Sequence, residues 1–328
     1  MKWVVRKGLL SLFTLLCSIT ITFFLFRIIP GNPVDIMILE YMRGGDSYEE
    51  ALTKVSRIIP FLPNKPIHEQ YVDFLKGVFT GNLGYSIWLA TPVTKILGYA
   101  IPWTIFAVSI SLIISFLLGI VIGMYTAYKR GSIIDKVLSF YSSVSTATPQ
   151  NVLGFFIIWI LAVQLRLFPS SGPYGPNVDP KVFNLEFLLS VLYHAILPIL
   201  TYVLTSLGGW ILTMKSSTVS VLGENYVTAA EARGLKDRRI ALSYVGRNAI
   251  LPLFTRFAIS LGFMFGGVLL IENLFLYPGI GRYLNLAVNY RDYSLISGCF
   301  LITSVAVVAA NFIADLLYGK LDPRVKFD

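Results

Sequence analysis

The chain has 328 residues, 55% of them hydrophobic and 14% charged, with a formal net charge of +9. Soluble domains carry roughly 25% charged residues, so this composition excludes an ordinary soluble domain and points to the bilayer. The excess of Lys and Arg is the kind that cytoplasmic loops of membrane proteins carry, and no RNA- or DNA-binding signature accompanies it, so nucleic acid is excluded as a partner.

About six apolar runs are long enough to span, near residues 8–29, 102–127, 137–165, 187–214, 253–276 and 293–315. The expected fold class is an all-α polytopic membrane protein. The first run follows Lys2, Arg6 and Lys7, as a signal peptide would. It is too long for an ordinary signal h-region, and no A-x-A-like site follows it, so residues 1–30 read as an uncleaved helix that starts inside. Lys129, Arg130 and Lys136, the Lys215–Arg256 group, and Lys320, Arg324 and Lys326 then fall on the same side as the N-terminus. The short loops opposite carry only Arg166, Lys181, Arg282 and Arg291. This asymmetry predicts a multi-pass protein of the cell membrane with both termini in the cytoplasm.

The loop 31–101 lies outside in this scheme. Ser47-Tyr48-Glu49-Glu50 is a capping box, followed by Ala51, Leu52 and Val55 at helical spacing, and the helix should end before Pro60. Tyr71, Phe74, Leu75, Val78 and Phe79 form a second helical stripe that Gly81-Asn82-Leu83-Gly84 terminates. These amphipathic helices have three possible partners: each other, the bilayer surface, or an external protein. The second span carries Ser115, Gly119 and Gly123 one turn apart, and the fifth carries Gly262 and Gly266. Small residues so spaced let helix backbones approach closely in lipid.

In the third span Ser142, Ser143, Ser145, Thr146, Thr148, Gln150 and Asn151 crowd around Pro149. Proline removes a backbone hydrogen bond and bends the helix there. The freed polar groups either line a water-filled path or meet another helix. Ser145, Thr146, Thr148 and Asn151 are the candidate path residues, with Glu272 from the fifth span, a carboxylate near the outer boundary that either faces the lumen or pairs with Arg282. The fourth span contains His194 and Pro198. Only His68 joins His194 as a histidine, so no metal site is expected. Cys17 and Cys299 sit inside apolar runs and imply no disulfide framework.

Residues 215–252 form the longest basic segment between spans. Tyr226, Ala229, Ala230 and Arg233 follow helical spacing, Gly234 breaks the helix, and a second helix leads to Pro252. The alanines are expected on an exposed face, where a partner's surface can approach closely. Arg238, Arg239 and Arg247 are available to acidic groups or lipid phosphates. No H-E-x-x-H, no G-x-S-x-G and no G-x-x-x-x-G-K-[ST] occurs, and Gly319-Lys320 is followed by Leu321. The chain is therefore not expected to be an enzyme, and active transport would draw energy from another subunit or from an ion.

T-A-A-E-A-R-G (228–234) followed by R-N-A-I-L-P (247–252) resembles the EAA loop of ABC importer permeases, with Thr228 where a Glu often stands. The peptide-permease branch commonly lacks that Glu. The resemblance extends through I-I-P-G-N-P (28–33), G-N-L-G-Y-S (81–86), P-V-T-K-I-L (92–97) and K-R-G-S-I-I-D-K (129–136). It continues through L-F-P-S-S-G-P-Y-G (167–175), H-A-I-L-P (194–198), E-N-L-F-L-Y-P-G-I-G-R (272–282) and L-L-Y-G-K-L-D-P-R-V-K (316–326). In this order the motifs are similar to the B-type permease subunit of the dipeptide/oligopeptide ABC importer family.

That resemblance implies a type I ABC importer permease fold, with residues 102–328 as a five-helix core that includes the coupling loop 215–252. It implies four partners: a homologous C-type permease, two cytoplasmic ATPase subunits that hold ATP-Mg, an extracytoplasmic substrate-binding protein, and the lipid bilayer. No cofactor is expected on this chain. The helix near 224–234 would be the coupling helix, with Tyr226, Thr228, Ala229, Ala230, Arg233, Gly234, Arg238, Arg239 and Pro252 as the coupling residues. Cargo would be a di- or oligopeptide, although the family also carries oligosaccharides and nickel complexes. The region 40–60 departs from shorter family versions. The alternative is an ion-coupled secondary transporter or channel, which calls for charged residues near the midplane of broken, repeated helices. Spans two to four contain no such charges.

Overall fold

The computed structural model describes residues 2–28, 38–39, 41–58, 66–263 and 269–321. The motif at 29–33, Gly266, and the basic residues Arg324 and Lys326 lie outside them. In chain order the principal helices are α1 (Lys2–Ile28), α2 (Tyr48–Ile58), α3 (Ile67–Thr80), α4 (Val93–Tyr128), α5 (Ile133–Ala147), α6 (Gln150–Ile157), α7 (Leu185–Leu222), α8 (Asn225–Ala232), α9 (Leu251–Phe263), α10 (Leu269–Leu274), α11 (Ile280–Asn289) and α12 (Tyr293–Leu321). A two-residue hairpin pairs β1 (Tyr85–Ser86) with β2 (Thr91–Pro92) antiparallel.

Among the described residues, four helices are long and apolar enough to cross a bilayer, over Val4–Leu25, Val93–Tyr128, Leu185–Leu222 and Tyr293–Ile313. The expected third span is not a single helix. It is a pair, Ile133–Ala147 and Gln150–Gln164, bent by 109° at Pro149. The expected fifth span falls on α9 and α10, which flank 264–268, and those five positions lie outside the described residues. Gly262 is in α9. Contacts divide the chain into two compact units, one of residues 1–104 and 278–312, the other of 105–277 and 313–327.

In the first unit, α3 packs onto the spans. Tyr71, Phe74, Leu75 and Val78 surround Ile19 and Phe23 of α1 and Leu301 of α12. The hydroxyls of Thr20 and Tyr71 lie 2.7 Å apart. The stripe packs on the spans, a partner that the sequence did not suggest. Gly81, at φ +73, closes α3 through Asn82 N–H to the Gly77 carbonyl at 2.8 Å. The hairpin is held by Asp292, a fully buried carboxylate that accepts from Ser86 Oγ, from Trp88 N–H and from Leu295 N–H in the first turn of α12. Trp88 and Tyr290 stack with ring centroids 4.4 Å apart.

α2 begins with the expected capping box. Ser47 N–H donates to Glu50 Oε2 at 3.0 Å, and Glu50 N–H donates to Ser47 Oγ at 3.3 Å. The Ser47 N–H bond first, and then Ser47 Oγ, which donates to the same Oε2 at 2.9 Å, hold the Glu50 carboxyl below its ordinary value of 4.5. A depressed folded-state value means that the cap's contribution is complete above the unfolded value and is lost as pH falls through the folded one. Hydrogen-exchange protection at Glu50 and Ala51, relative to the intrinsic rate at each pH, is therefore expected to fall on acidification below about pH 4.5, and a Glu50→Gln chain should show a much flatter profile.

In the second unit α7 is the central strut. Its 38 residues rise about 57 Å, nearly twice a hydrocarbon thickness of about 30 Å, and it passes through Pro198 without ending. α4 crosses it at Gly119 and Gly123. A Cβ on Gly119 would lie 2.2 Å from Trp210 Cβ, and one on Gly123 would lie 2.6 Å from Met214 Cβ. α5 crosses it at Gly208, where a Cβ would meet the Ser142 carbonyl oxygen at 2.6 Å. The loop at 167–175 is strapped down by Tyr193 OH to the Leu167 carbonyl (2.6 Å), Gly175 N–H to Ser190 Oγ (2.9 Å) and Gly172 N–H to the Phe275 carbonyl (2.9 Å). Two of the resembling motifs, 167–175 and 272–282, thus meet beside α7.

Candidate functional site

The basic segment is a small folded lobe at the end of α7. That helix does not stop at Lys215 but continues to Leu222, so the turn out of it comes two turns later than the sequence reading placed it. α8 then occupies Asn225–Ala232. It terminates in a Schellman motif: Leu235 N–H donates to the Ala230 carbonyl (3.3 Å) and Gly234 N–H to the Glu231 carbonyl (2.8 Å). Gly234 sits at φ +69 with nothing within 4 Å of a built Cβ, so its backbone conformation, not crowding, calls for glycine.

The chain returns through a helical segment made of Asp237–Arg239, a wider π-type stretch Ile240–Gly246, and Arg247–Ala249. The wide turn places Ile240, Val245 and Ala249 on one inward line, a spacing of five and four that a regular α-helix would not align. Ile240 and Val245 pack against Val227 and Ala230 of α8, with Val221 and Leu222 of α7 and Leu235 around them. Ala249 joins Trp210 and Met214 of α7, Leu112 and Phe116 of α4, and Leu253 of α9 in the next cluster. The lobe is therefore continuous with the helix core.

This arrangement corrects one expectation. Ala230 is only 3% exposed and faces the return helix, where its small side chain lets Ile240 and Val245 close in. The outward face of α8 is formed by Tyr226, Thr228, Ala229 and Arg233, with Gly234 at its end; Tyr226 is 40% exposed. Arg238, Arg239 and Arg247 are exposed on the return helix. Pro252 is exposed in the first turn of α9, where a missing N–H costs nothing.

The candidate path residues separate. Ser145 is buried and donates to the Leu204 carbonyl at 2.6 Å and the Thr205 carbonyl at 3.1 Å, beside Tyr141 OH on the same Leu204 carbonyl at 2.9 Å. Of the two roles open to it, Ser145 takes part in helix packing. Thr146 is exposed and donates to the Ser142 carbonyl, while Thr148 donates to the Val144 carbonyl at the break. Asn151 is half-buried in the first turn of α6. Glu272 is buried and lines a small cavity with Ser111, Pro198, Tyr202 and Tyr277.

Three charged side chains have partners that the sequence did not reveal. Lys215 of α7 pairs with Asp135 of α5, with side chains 21% and 10% exposed. The only sequence signal was an acid and a base near the ends of otherwise uncharged runs. Arg256 of α9 donates Nη1 to the Gly209 carbonyl (2.9 Å) and to Thr213 Oγ1 (2.6 Å), and lies 5.0 Å above the Trp210 ring. Gly209 makes room, since a Cβ there would lie 2.7 Å from Arg256 Nη2.

A family model described as the binding-protein-dependent transport system inner membrane component matches residues 119–327, and its N-terminal companion matches residues 1–105. The chain belongs to this family. It is 29% identical over 326 residues to the oligopeptide transport system permease protein AppB of Bacillus subtilis (strain 168), covering 99% of both chains. It is 30% identical over 318 residues to the di/tripeptide transport system permease protein DppB of Pseudomonas aeruginosa (strain UCBPP-PA14), covering 93% of both. It is 28% identical over 341 residues to the dipeptide transport system permease protein DppB of Escherichia coli (strain K12), covering 99% of both. The protein is a multi-pass inner-membrane permease subunit of a binding-protein-dependent ABC importer, and the ion-coupled alternative falls. ATP hydrolysis belongs to partner subunits.

Proposed function

We propose that this permease carries peptides and that the outward face of α8 is the seat of an ATPase subunit. The peptide assignment is supported by the names of relatives that align over nearly the whole chain. The docking assignment rests on one observation: α8 has a core of its own on one side and a small-residue outer face bounded by Tyr226, Ala229 and Arg233 on the other. Small side chains let a partner surface approach closely, and exposed arginines steer an acidic groove. Because Val221 and Leu222 of α7 share the core of α8, a push on α8 moves α7 rather than bending a loop. Closure of ATP-loaded ATPases would thereby tilt the spans.

The complete assembly contains a homologous C-type permease, two ATPases that hold ATP-Mg, and a binding protein outside, with both termini of this chain in the cytoplasm. Thr146, Thr148, Asn151 and Glu272 are its path candidates. The test is uptake of labelled di- and tripeptides into proteoliposomes holding the whole assembly and its binding protein. Uptake should require internal ATP and both ATPases. Uptake driven by a proton or sodium gradient without ATPases would overturn the reading.

A further inference from the structure

We propose that the Asp135–Lys215 ion pair is the link that carries movement of α8 into the broken third span, a positioning role that rests on the docking reading above. The K-R-G-S-I-I-D-K motif has no place in docking itself, and Asp135 gives it one. The Asp135 carboxylate takes three donors: Lys215 Nζ, the Gly131 N–H at 2.9 Å, and Ser139 Oγ at 3.1 Å. Lys215 Nζ also donates to Ser139 Oγ at 2.8 Å. One side chain thus ties together the turn before α5, the first turns of α5 and the lower part of α7. The turn depends on it, since Gly131 is at φ +86 and its N–H is held by Asp135.

α5 is fastened to α7 at three levels. Ser145 and Tyr141 reach the Leu204 carbonyl, Ser142 abuts Gly208, and Asp135 meets Lys215. The first two are neutral contacts further along α5 from the docking lobe. The third lies where α7 leads into α8, so a displacement of α8 loads it first. A neutral packed surface can slide. A charge pair shielded from water resists separation, because each partner would be left charged in a poorly solvated site. Movement of α7 therefore drags the start of α5, and the 109° break at Pro149 gives that movement a hinge to act on.

The experiment uses the complete transporter in nanodiscs, with Cys17 and Cys299 replaced by Ala and spin labels at Phe140 of α5 and Ser220 of α7, both exposed. Distances are measured without nucleotide and in the ADP–vanadate-trapped state. The unaltered pair should give one narrow distribution that is the same in both states. D135L/K215L leaves no unpaired charge, so the assembly should form and hydrolyse ATP within about two-fold of wild type, yet its α5–α7 distance should change on trapping. Asp135→Glu, which keeps the charge, should behave as wild type. The proposal is overturned if D135L/K215L keeps the wild-type distance in both states, or if Asp135→Glu fails as the double-leucine chain does. Retention of ATPases by an Ala229→Arg chain would sink the docking reading alone, and the α5–α7 distances would still decide the link.

Discussion

An Ala229→Arg chain is expected to insert at the wild-type level and to co-purify with no ATPase subunit. Ala229 lies on the outward face of α8 and outside the lobe's core, so a longer side chain there leaves the fold alone. In a docked complex the same side chain would hold the partner away. Losses at the centre of an interface reach about 2 kcal/mol or more, roughly 30-fold in affinity. Ala230→Arg is the informative contrast. Ala230 is buried against Ile240 and Val245, so that chain should lose the lobe's fold together with docking, as increased proteolysis within 223–250 would reveal. If Ala229→Arg retains its ATPases, the coupling surface lies elsewhere.

The second large effect is expected at the crossing of α4 and α7. Gly119→Ala puts a methyl group 2.2 Å from Trp210 Cβ and 3.2 Å from the Trp210 backbone carbon, and neither can swing away. Overpacking of this kind costs about 1–3 kcal/mol, and the helices must separate to admit it. Gly98→Ala in the same helix has nothing within 4 Å of the new methyl group. It should be neutral or stabilising by up to about 1 kcal/mol, since alanine is the better helix former. Thermal unfolding in detergent, followed by size-exclusion fluorescence, compares the two. Equal midpoints would mean that α4 and α7 do not meet as closely as Gly119 suggests.

Local chemistry was legible along the chain. Ser47 and Glu50 formed the cap their spacing called for, Gly81 ended α3, Pro149 broke the third span, and Gly234 took the left-handed turn. Each outcome depends on steric limits or hydrogen bonds within a few residues, so a short window of sequence contains its cause. The partner of α3 was not legible, because an apolar stripe declares that it will be buried but not against what. The inward orientation of Ala230 was hidden for another reason. An alanine satisfies an exposed close-approach face and a crowded internal one equally well, and the wide turn at 240–246 that brings Ile240 and Val245 onto it is set by packing.

By itself, then, the sequence determined the solvent and the local breaks of this protein. Apolar runs of the length of a bilayer can satisfy their backbone only as helices, and proline and glycine dictate where those helices end. Through the order of its motifs it also determined the family. The tertiary structure decided which small and charged residues face one another. Gly119 against Trp210, Ser145 on the Leu204 carbonyl, and Asp135 with Lys215, 80 positions away, are meetings of helix surfaces. The same side chain can serve a path, a partner or a packing contact, and only the relative placement of distant helices selects among them.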